Sequence, residues 1–494
     1  MRRAFLFILI LMACTLVSAA RGTRTMLPSG WFISPASGPE AATGTMPQGL
    51  ALSPDGERVA VLESGAGPAG LRIFDTATLH ERAYVWLKGA FGVPVWDGEN
   101  YLWVALANLH AIGHINLATG LLETSIAVGE DSWPAAVALA PDAKTAAFSD
   151  DTTAHLGIVD LATGTVTQRI PTDRHPGALT YSPDGKTLAV ANRGARTVTL
   201  VDAATARART IEVGLHPSAL AFSADGMRLF VTLADEDAIV ALDTATAKIS
   251  SRIGLGINGN PGASPNALSL AKDGTMYVTC GAINAFAVIS GGKRSGFIPG
   301  GWYPDGIAVD ATKTFAYVLN GKGERSHANP QFNPMGAGHI LPGYVGTSLY
   351  GSLRKIDLRG GTQTAAVIAN IGAAGAPPAH TVLRRNGPIK HVIYIIKENR
   401  SYDQVLSDIP GGDGDTSLLL FGNNVTPNLH AIARRFGLFD RAFANAQVSA
   451  DGHNWTDAGF ANDYLERFWP PVYGSRRRLY DFEDGADASD PRGG

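Results

Sequence analysis

The chain has 494 residues, enough for roughly two to four domains of ordinary size, with 41 Lys plus Arg against 44 Asp plus Glu and a formal charge of −3. That balance excludes a general nucleic-acid binder, which needs a basic surface to displace counterions. Hydrophobic residues at 45% exclude a mainly disordered chain, and charged residues at 17% with 57 Gly and 28 Pro point to many short strands joined by turns.

The amino terminus reads as a secretory signal over residues 1–20. Arg2-Arg3 form its charged region, the run from Ala4 to Ala13 its apolar region, and Val17-Ser18-Ala19-Ala20 its small-residue cleavage site. The apolar run is too short to span a membrane. Leu11-Met12-Ala13-Cys14 is similar to a bacterial lipobox, so two routes stay open: cleavage after Ala19 or Ala20, or a lipid anchor on Cys14. Both place the mature protein outside the cytoplasm, in the periplasm or at the cell surface. Cys280 is the other of two cysteines, so no disulfide framework, zinc ribbon or haem attachment is available. It is expected as a buried core residue of a strand.

A repeat follows. One phrase, a strand-like run ending in an Asp-Gly turn, appears at Asp55-Gly56, Asp184-Gly185, Asp225-Gly226 and Asp273-Gly274, with weaker copies at Asp97-Gly98, Asp142 and Thr312. Successive anchors are 42, 45, 42, 41, 48 and 39 residues apart. About twenty residues after each comes a second phrase, clearest at Asp75-Thr-Ala-Thr78, Asp160-Leu-Ala-Thr163, Asp202-Ala-Ala-Thr205 and Asp243-Thr-Ala-Thr246. Asp, Gly and Thr are turn residues, and the runs between them are rich in β-formers. Two hairpin phrases per repeat give four strands, which is one propeller blade. Seven repeats predict a seven-bladed β-propeller over residues 47–372, with an open solenoid of the same strands as the alternative. The repeat resembles the YVTN or lactonase-like propellers, and Tyr277-Val-Thr-Cys280 nearly spells the signature. That resemblance speaks for fold and poorly for activity. The seventh repeat carries a Gly-, Pro-, Asn- and His-rich insertion from Gly321 to Tyr350.

Residues 373–387 read as a linker. The texture then changes to a partial α/β domain over 388–494. Lys390-His-Val-Ile-Tyr-Ile-Ile-Lys397 is expected as a strand covered on both faces. Glu398 and Asn399 follow at its carboxyl end, where open α/β sheets bind ligands. Their oxygens would suit a divalent cation; a turn or helix-start role is the alternative. A helix is expected over 428–435, a short strand over 436–443 and a second helix over 457–468. Gly411-Gly-Asp-Gly-Asp415 lacks the spaced carboxylates of a calcium loop and reads as a turn.

The segments Lys397-Glu-Asn-Arg-Ser-Tyr-Asp403, Leu420-Phe-Gly422 to Thr426-Pro-Asn428 and Val448-Ser-Ala-Asp-Gly-His-Asn-Trp455 resemble the phosphoesterase branch of the alkaline phosphatase superfamily, which holds bacterial phospholipase C and related acid phosphatases. The resemblance implies that Glu398 and Asn399 contribute to a site for a divalent metal such as Zn, Ca or Mn. It makes Ser449, 50 and 51 residues after that pair, the nucleophile toward a phosphate ester. Thr456 is a second hydroxyl candidate, and a helix cap is the alternative for Ser449. Asp451 and His453 are candidates to orient or bind the metal, with a polar turn as the alternative for Asp451. A metal would lower the pKa of the hydroxyl and neutralise charge on the transferring group. Members of that superfamily complete their metal sites more than a hundred positions downstream, so 388–494 is expected to be the amino-terminal part of such a domain and to hydrolyse little alone. The expected function is an exported, metal-dependent phosphoesterase with a propeller binding domain. The alternative is a binding or scaffold protein whose propeller recognises a protein or another ligand. A lactonase-like activity would need recurrent His or Glu at equivalent blade positions, and none is evident.

Overall fold

The computed structural model describes residues 24–257, 262–325, 344–372 and 386–473. The chain sorts into two compact units, one of Met1–Gly372 with Ala446–Gly494 and one of Ala373–Asn445.

The first unit is built on seven four-stranded antiparallel sheets. Blade 1 runs through Pro47–Leu52, Arg58–Glu63, Gly70–Asp75 and Glu81–Trp86. Blades 2 to 7 begin at Ala90, Pro134, Pro176, Pro217, Pro265 and Trp302. Each innermost strand contacts the innermost strand of the next blade, and the seventh contacts the first. The ring is therefore closed, which makes it a propeller and rules out the open solenoid. The protein is mainly β, as its repeats predict.

Stacking between blades explains the sequence of the second strands. In Arg58–Glu63 the five residues after Arg58 are all buried, because neighbouring blades cover both faces. Outermost strands such as Lys248–Gly254 are mostly exposed and polar. The two recurring phrases are hydrogen-bonded turns. Asp75, Asp160, Asp202 and Asp243 each accept from the backbone N–H of the Thr three residues on, at 2.9, 2.8, 2.8 and 2.7 Å. In the Asp-Gly phrase, the Ser182 hydroxyl donates to Asp184 at 2.7 Å and receives the Thr187 N–H at 2.9 Å.

Blade 7 takes its outermost strand from ahead of the first repeat. Glu40–Thr45 pairs antiparallel with Tyr350–Asp357, so the start of the propeller seals its end. Buried Arg354 fastens the seam: its guanidinium donates to Glu40 (3.0 Å) and to the Ser34 and Gly300 carbonyls (3.2 and 2.6 Å), and it also pairs with Glu324. Cys280 ends the strand Met276–Cys280 and is fully buried.

Among the described residues five α-helices follow the blades: α1 Thr364–Asn370, α2 Tyr402–Leu406, α3 Pro427–Phe436, α4 Ser449–Asp457 and α5 Asp463–Tyr473. Among the described residues no helix is long and apolar enough to cross a membrane. The predicted signal over 1–20 with Cys14, residues 373–385 of the linker expected over 373–387, and the middle of the blade 7 insertion over 326–343 lie outside the described residues.

Ala373–Asn445 departs from expectation. The apolar run 390–397 forms no strand or other regular element, and Val392, Ile393, Tyr394 and Ile395 are exposed, Ile393 at 86%. A strand exists through its ladder, and no described segment pairs with this one. The strand expected over 436–443 is absent for the same reason, with Phe439 and Phe443 exposed. The expected helix over 428–435 forms as α3, with Pro427 in its first turn. Ser401 and Gln404 cap α2 reciprocally. The expected helix over 457–468 is divided between α4 and α5, which group with the propeller rather than with residues 388–445.

Candidate functional site

In each blade the inner strand begins where the second strand ends, because the two are antiparallel. All seven such corners lie at one end of the ring and form its mouth. In six blades the inner strand carries a proline near its start: Pro47, Pro134, Pro176, Pro217, Pro265 and Pro304. Each lies eight residues ahead of its anchor at Asp55, Asp142, Asp184, Asp225, Asp273 or Thr312. Five of the residues just before these prolines hold left-handed backbone: Met46, His175, His216, Ser264 and Tyr303, with φ of 42°, 47°, 47°, 53° and 59°. Such backbone costs a non-glycine residue about 1–2 kcal/mol.

Helix α5 occupies this mouth, and every residue from Asp463 to Pro471 is buried. It is gripped by six blades. Gln48 of blade 1 donates to the Arg467 carbonyl. Phe91 of blade 2 and Trp133 of blade 3 pack on Phe468, with ring centroids 5.2 and 5.8 Å away. Arg193 of blade 4 lies 5.2 Å over the same ring, and the His175 ring is 5.5 Å from Tyr464. Asn266 of blade 6 and Tyr303 of blade 7 both donate to Asp463 Oδ1, at 2.9 and 2.8 Å. Arg467 pairs with Asp463 at 3.1 Å and donates to the Asn266 and Asp305 carbonyls at 3.1 and 3.0 Å. Lys322 of blade 7 meets Glu466 at 2.6 Å.

The electrostatics follow from burial. Asp305 is buried, neither carboxylate oxygen has a hydrogen-bond partner among the described residues, and burial pushes its carboxyl well up although Arg467 pulls it back. Burial likewise raises the Tyr303 phenol, with Asp463 adding to the effect. Burial makes the Arg193 guanidinium easier to deprotonate than usual, and Arg467 beside it acts the same way. These groups hold a helix by aromatic packing and paired charges. A proline eight residues before six of the seven anchors is the sequence signal for this mouth, and a pattern of recurrent His or Glu does not reveal it.

The residues singled out by sequence fall in both units. Ser449 opens α4, its side chain is exposed, and Val448 before it is extended. His453 lies one turn further along the helix and is half-buried. Thr456 is exposed and its hydroxyl is returned to the Gly452 carbonyl at 2.7 Å. Asp451 is fully buried beside α5, so its carboxylate faces the packing and not solvent. Glu398 and Asn399 belong to the other unit, where both are exposed and joined by a cis peptide bond. They supply two oxygen-bearing side chains, fewer than the four to eight donors that Zn or Ca takes. No group of three or more His, Cys, Asp or Glu among the described residues is arranged to hold a metal ion. The pair does not by itself make a metal site.

A family model described as a YNCE-like beta-propeller matches residues 114–282. The chain carries a seven-bladed propeller similar to that family. Among solved structures, a streptogramin B lyase aligns at a TM-score of 0.50 with 14% identity, covering 64% of this chain and 98% of the lyase. Virginiamycin B lyase from Staphylococcus aureus aligns at 0.50 with 13% identity, over 64% of this chain and 99% of that one. Hydrazine synthase of Kuenenia stuttgartiensis aligns at 0.49 with 19% identity, over 58% and 96%. For the two lyases, at these identities, the likeness is one of fold. No curated protein is significantly similar in sequence.

Proposed function

We propose that this chain is an exported phosphate-ester hydrolase in which Ser449 is the nucleophile and the propeller is the frame that holds the helix carrying it. The observation that carries the reading is the setting of Ser449: an exposed hydroxyl at the first residue of α4, directly after an extended residue. The phosphoesterase resemblance expects its nucleophile at a strand-to-helix turn; here one extended residue, Val448, precedes the helix, and no strand among the described residues leads into it. The sequence motifs around Glu398-Asn399 and Ser449 support the same reading.

In this reading the Ser449 oxygen attacks phosphorus, the ester oxygen leaves with a proton, and water then cleaves the seryl phosphate. His453, four residues on, shares the helix face of Ser449 and would take the hydroxyl proton. By the resemblance, Glu398 and Asn399 would help to hold a divalent cation, whose chemistry is charge neutralisation on a phosphoryl group.

The test is turnover of an aryl phosphate monoester and a bis-aryl diester, with Zn, Mn or Ca added singly. Ser449→Ala should abolish turnover, and Thr456→Ala should retain it, since the Thr456 hydroxyl is engaged by its own helix. Turnover surviving in Ser449→Ala would remove Ser449 as nucleophile. Export is tested by amino-terminal sequencing of protein from the native host, where an intact Met1 would count against it.

A second reading is favoured by the burial of α5: the propeller is a binding module for a polypeptide, with its mouth filled by its own chain. A wild-type chain that cleaves neither ester with any metal, while α5 stays protected from hydrogen exchange, would establish that reading instead.

A further inference from the structure

Helix α5 is held by the propeller without belonging to its sheets. Among the described residues the last strand of the blades ends at Asp357, and Glu40–Thr45 closes the ring. The ladders are therefore complete without α5. The helix also organises itself. The Asn462 side chain accepts the Leu465 N–H at 2.9 Å and caps the first turn. Two pairs of residues four apart meet on its surface: Asp463 with Arg467 at 3.1 Å, and Tyr464 stacked on Phe468 with centroids 4.5 Å apart.

Each pair meets a different arc of the mouth. Blades 6 and 7 take the Asp463–Arg467 pair: Asn266 and Tyr303 donate to the carboxylate, and the guanidinium donates to the Asn266 and Asp305 carbonyls. Blades 2, 3 and 4 take the Tyr464–Phe468 pair, through Phe91, Trp133, His175 and Arg193. Charged and aromatic groups in matched places fix register and choice of partner more than raw affinity. The fit is also incomplete. Arg193 Nε and Trp469 Nε1 are buried with no hydrogen-bond partner among the described residues, and an unpaired buried group weakens the docking that buries it.

We propose that the mouth is a recognition site for a separable helix of the pattern Asp-aromatic-x-x-Arg-aromatic, and that α5 is its resident ligand, displaced by a polypeptide partner presenting the same pattern. The proposal rests on the second reading above, in which the propeller is a binding module, and is independent of any role for Ser449. Release of α5 breaks no ladder, so the blades stay folded when it leaves. A partner without the acid leaves the Tyr303 phenol and the Asn266 amide with no acceptor. One without the arginine leaves two carbonyls with no donor. Both are rejected for that reason.

The experiment has two arms, both on the full chain. In native-state hydrogen exchange of the wild type, α5 amides should be protected but should exchange at least about tenfold faster than those of the strand Thr187–Asn192. In the second arm a fluorescein-labelled peptide of residues 459–473 is titrated onto wild type and onto a chain carrying Asp463→Ala and Phe468→Ala, which empties the mouth. The peptide should bind the emptied chain at least about a hundredfold more tightly, since the resident helix competes in the wild type. Adding Asn266→Ala and Tyr303→Phe to that chain should abolish the gain, as should Asp463→Ala and Arg467→Ala within the peptide. Equal exchange of α5 and the blade strand would overturn the proposal whether or not the variant folds, because α5 would then leave only on global unfolding. Peptide binding that ignores Asp463 and Arg467 would remove the pattern and keep the binding module. No binding of either peptide to a folded, emptied chain would defeat both.

Discussion

Tyr303 and Asp463 are joined by a 2.8 Å hydrogen bond, phenol to carboxylate, across 160 residues of sequence. The bond ties the strained corner of blade 7 to the first turn of the helix that fills the mouth. Tyr303→Phe should cost about 1.5–3 kcal/mol of α5 docking, the usual range for a hydrogen bond to a charged group. Asp463→Ala should cost more, roughly 3–5 kcal/mol, because Arg467 is then left buried without its carboxylate. Exchange rates of the amides from 463 to 471 measure both, and equal effects would show that Arg467 finds another partner.

Asp305 sets a pH dependence of its own. Its native carboxyl holds a proton more tightly than the unfolded chain, whose value is about 3.9. The stability it confers is full below that value and is lost as pH rises through the raised native one. Asp305→Asn keeps the shape and removes the titration. Melting temperatures of the variant should exceed wild type at pH 8 and match it near pH 4.

The seam of blade 7 depends on Arg354. Arg354→Met keeps much of the volume but leaves Glu40 half-buried without its cation and two backbone carbonyls without their donor. We expect a loss of roughly 3–5 kcal/mol in denaturant titration. Enhanced proteolysis within residues 24–46 should accompany it, since that segment is the released edge.

The Cys280 thiol is fully buried, and burial pushes its pKa well above the ordinary thiol value. Thiolate is the reactive form. An aromatic disulfide reagent should leave the native protein unlabelled at pH 8 and react promptly in denaturant. Fast native labelling would mean that the blade 6 core opens readily.

The blades were legible because their signal is local. Asp75 reaches Thr78 and Ser182 reaches Asp184 within a few residues, so each turn is written out in the sequence that forms it. The seal by Glu40–Thr45 was not legible, since its partner strand Tyr350–Asp357 lies some three hundred residues on and pairing leaves no mark on either strand alone. The same holds for α5: nothing near Asp463, Glu466 and Arg467 in the sequence marks them for burial, because Tyr303, Lys322 and Asn266 come to them from distant blades. The run at 390–397 misled in the opposite way. Its hydrophobicity is that of a covered strand, but a covered strand also needs neighbours, and composition does not supply them. Ser449, Glu398 and Asn399 were reached by resemblance, and their spacing alone left a helix cap or a turn open.

The corner before each proline has a consequence for how this mouth can change. Met46, His175, His216, Ser264 and Tyr303 share one backbone shape and no common chemistry. Glycine would take that shape at lower cost, and none of the five positions uses it. Each of these five blades therefore offers one socket whose geometry is set by the fold and whose side chain is set independently. Exchanging the residue in a socket alters what the mouth grips while the ladders behind it stay as they are, so grip and framework can vary separately within one molecule.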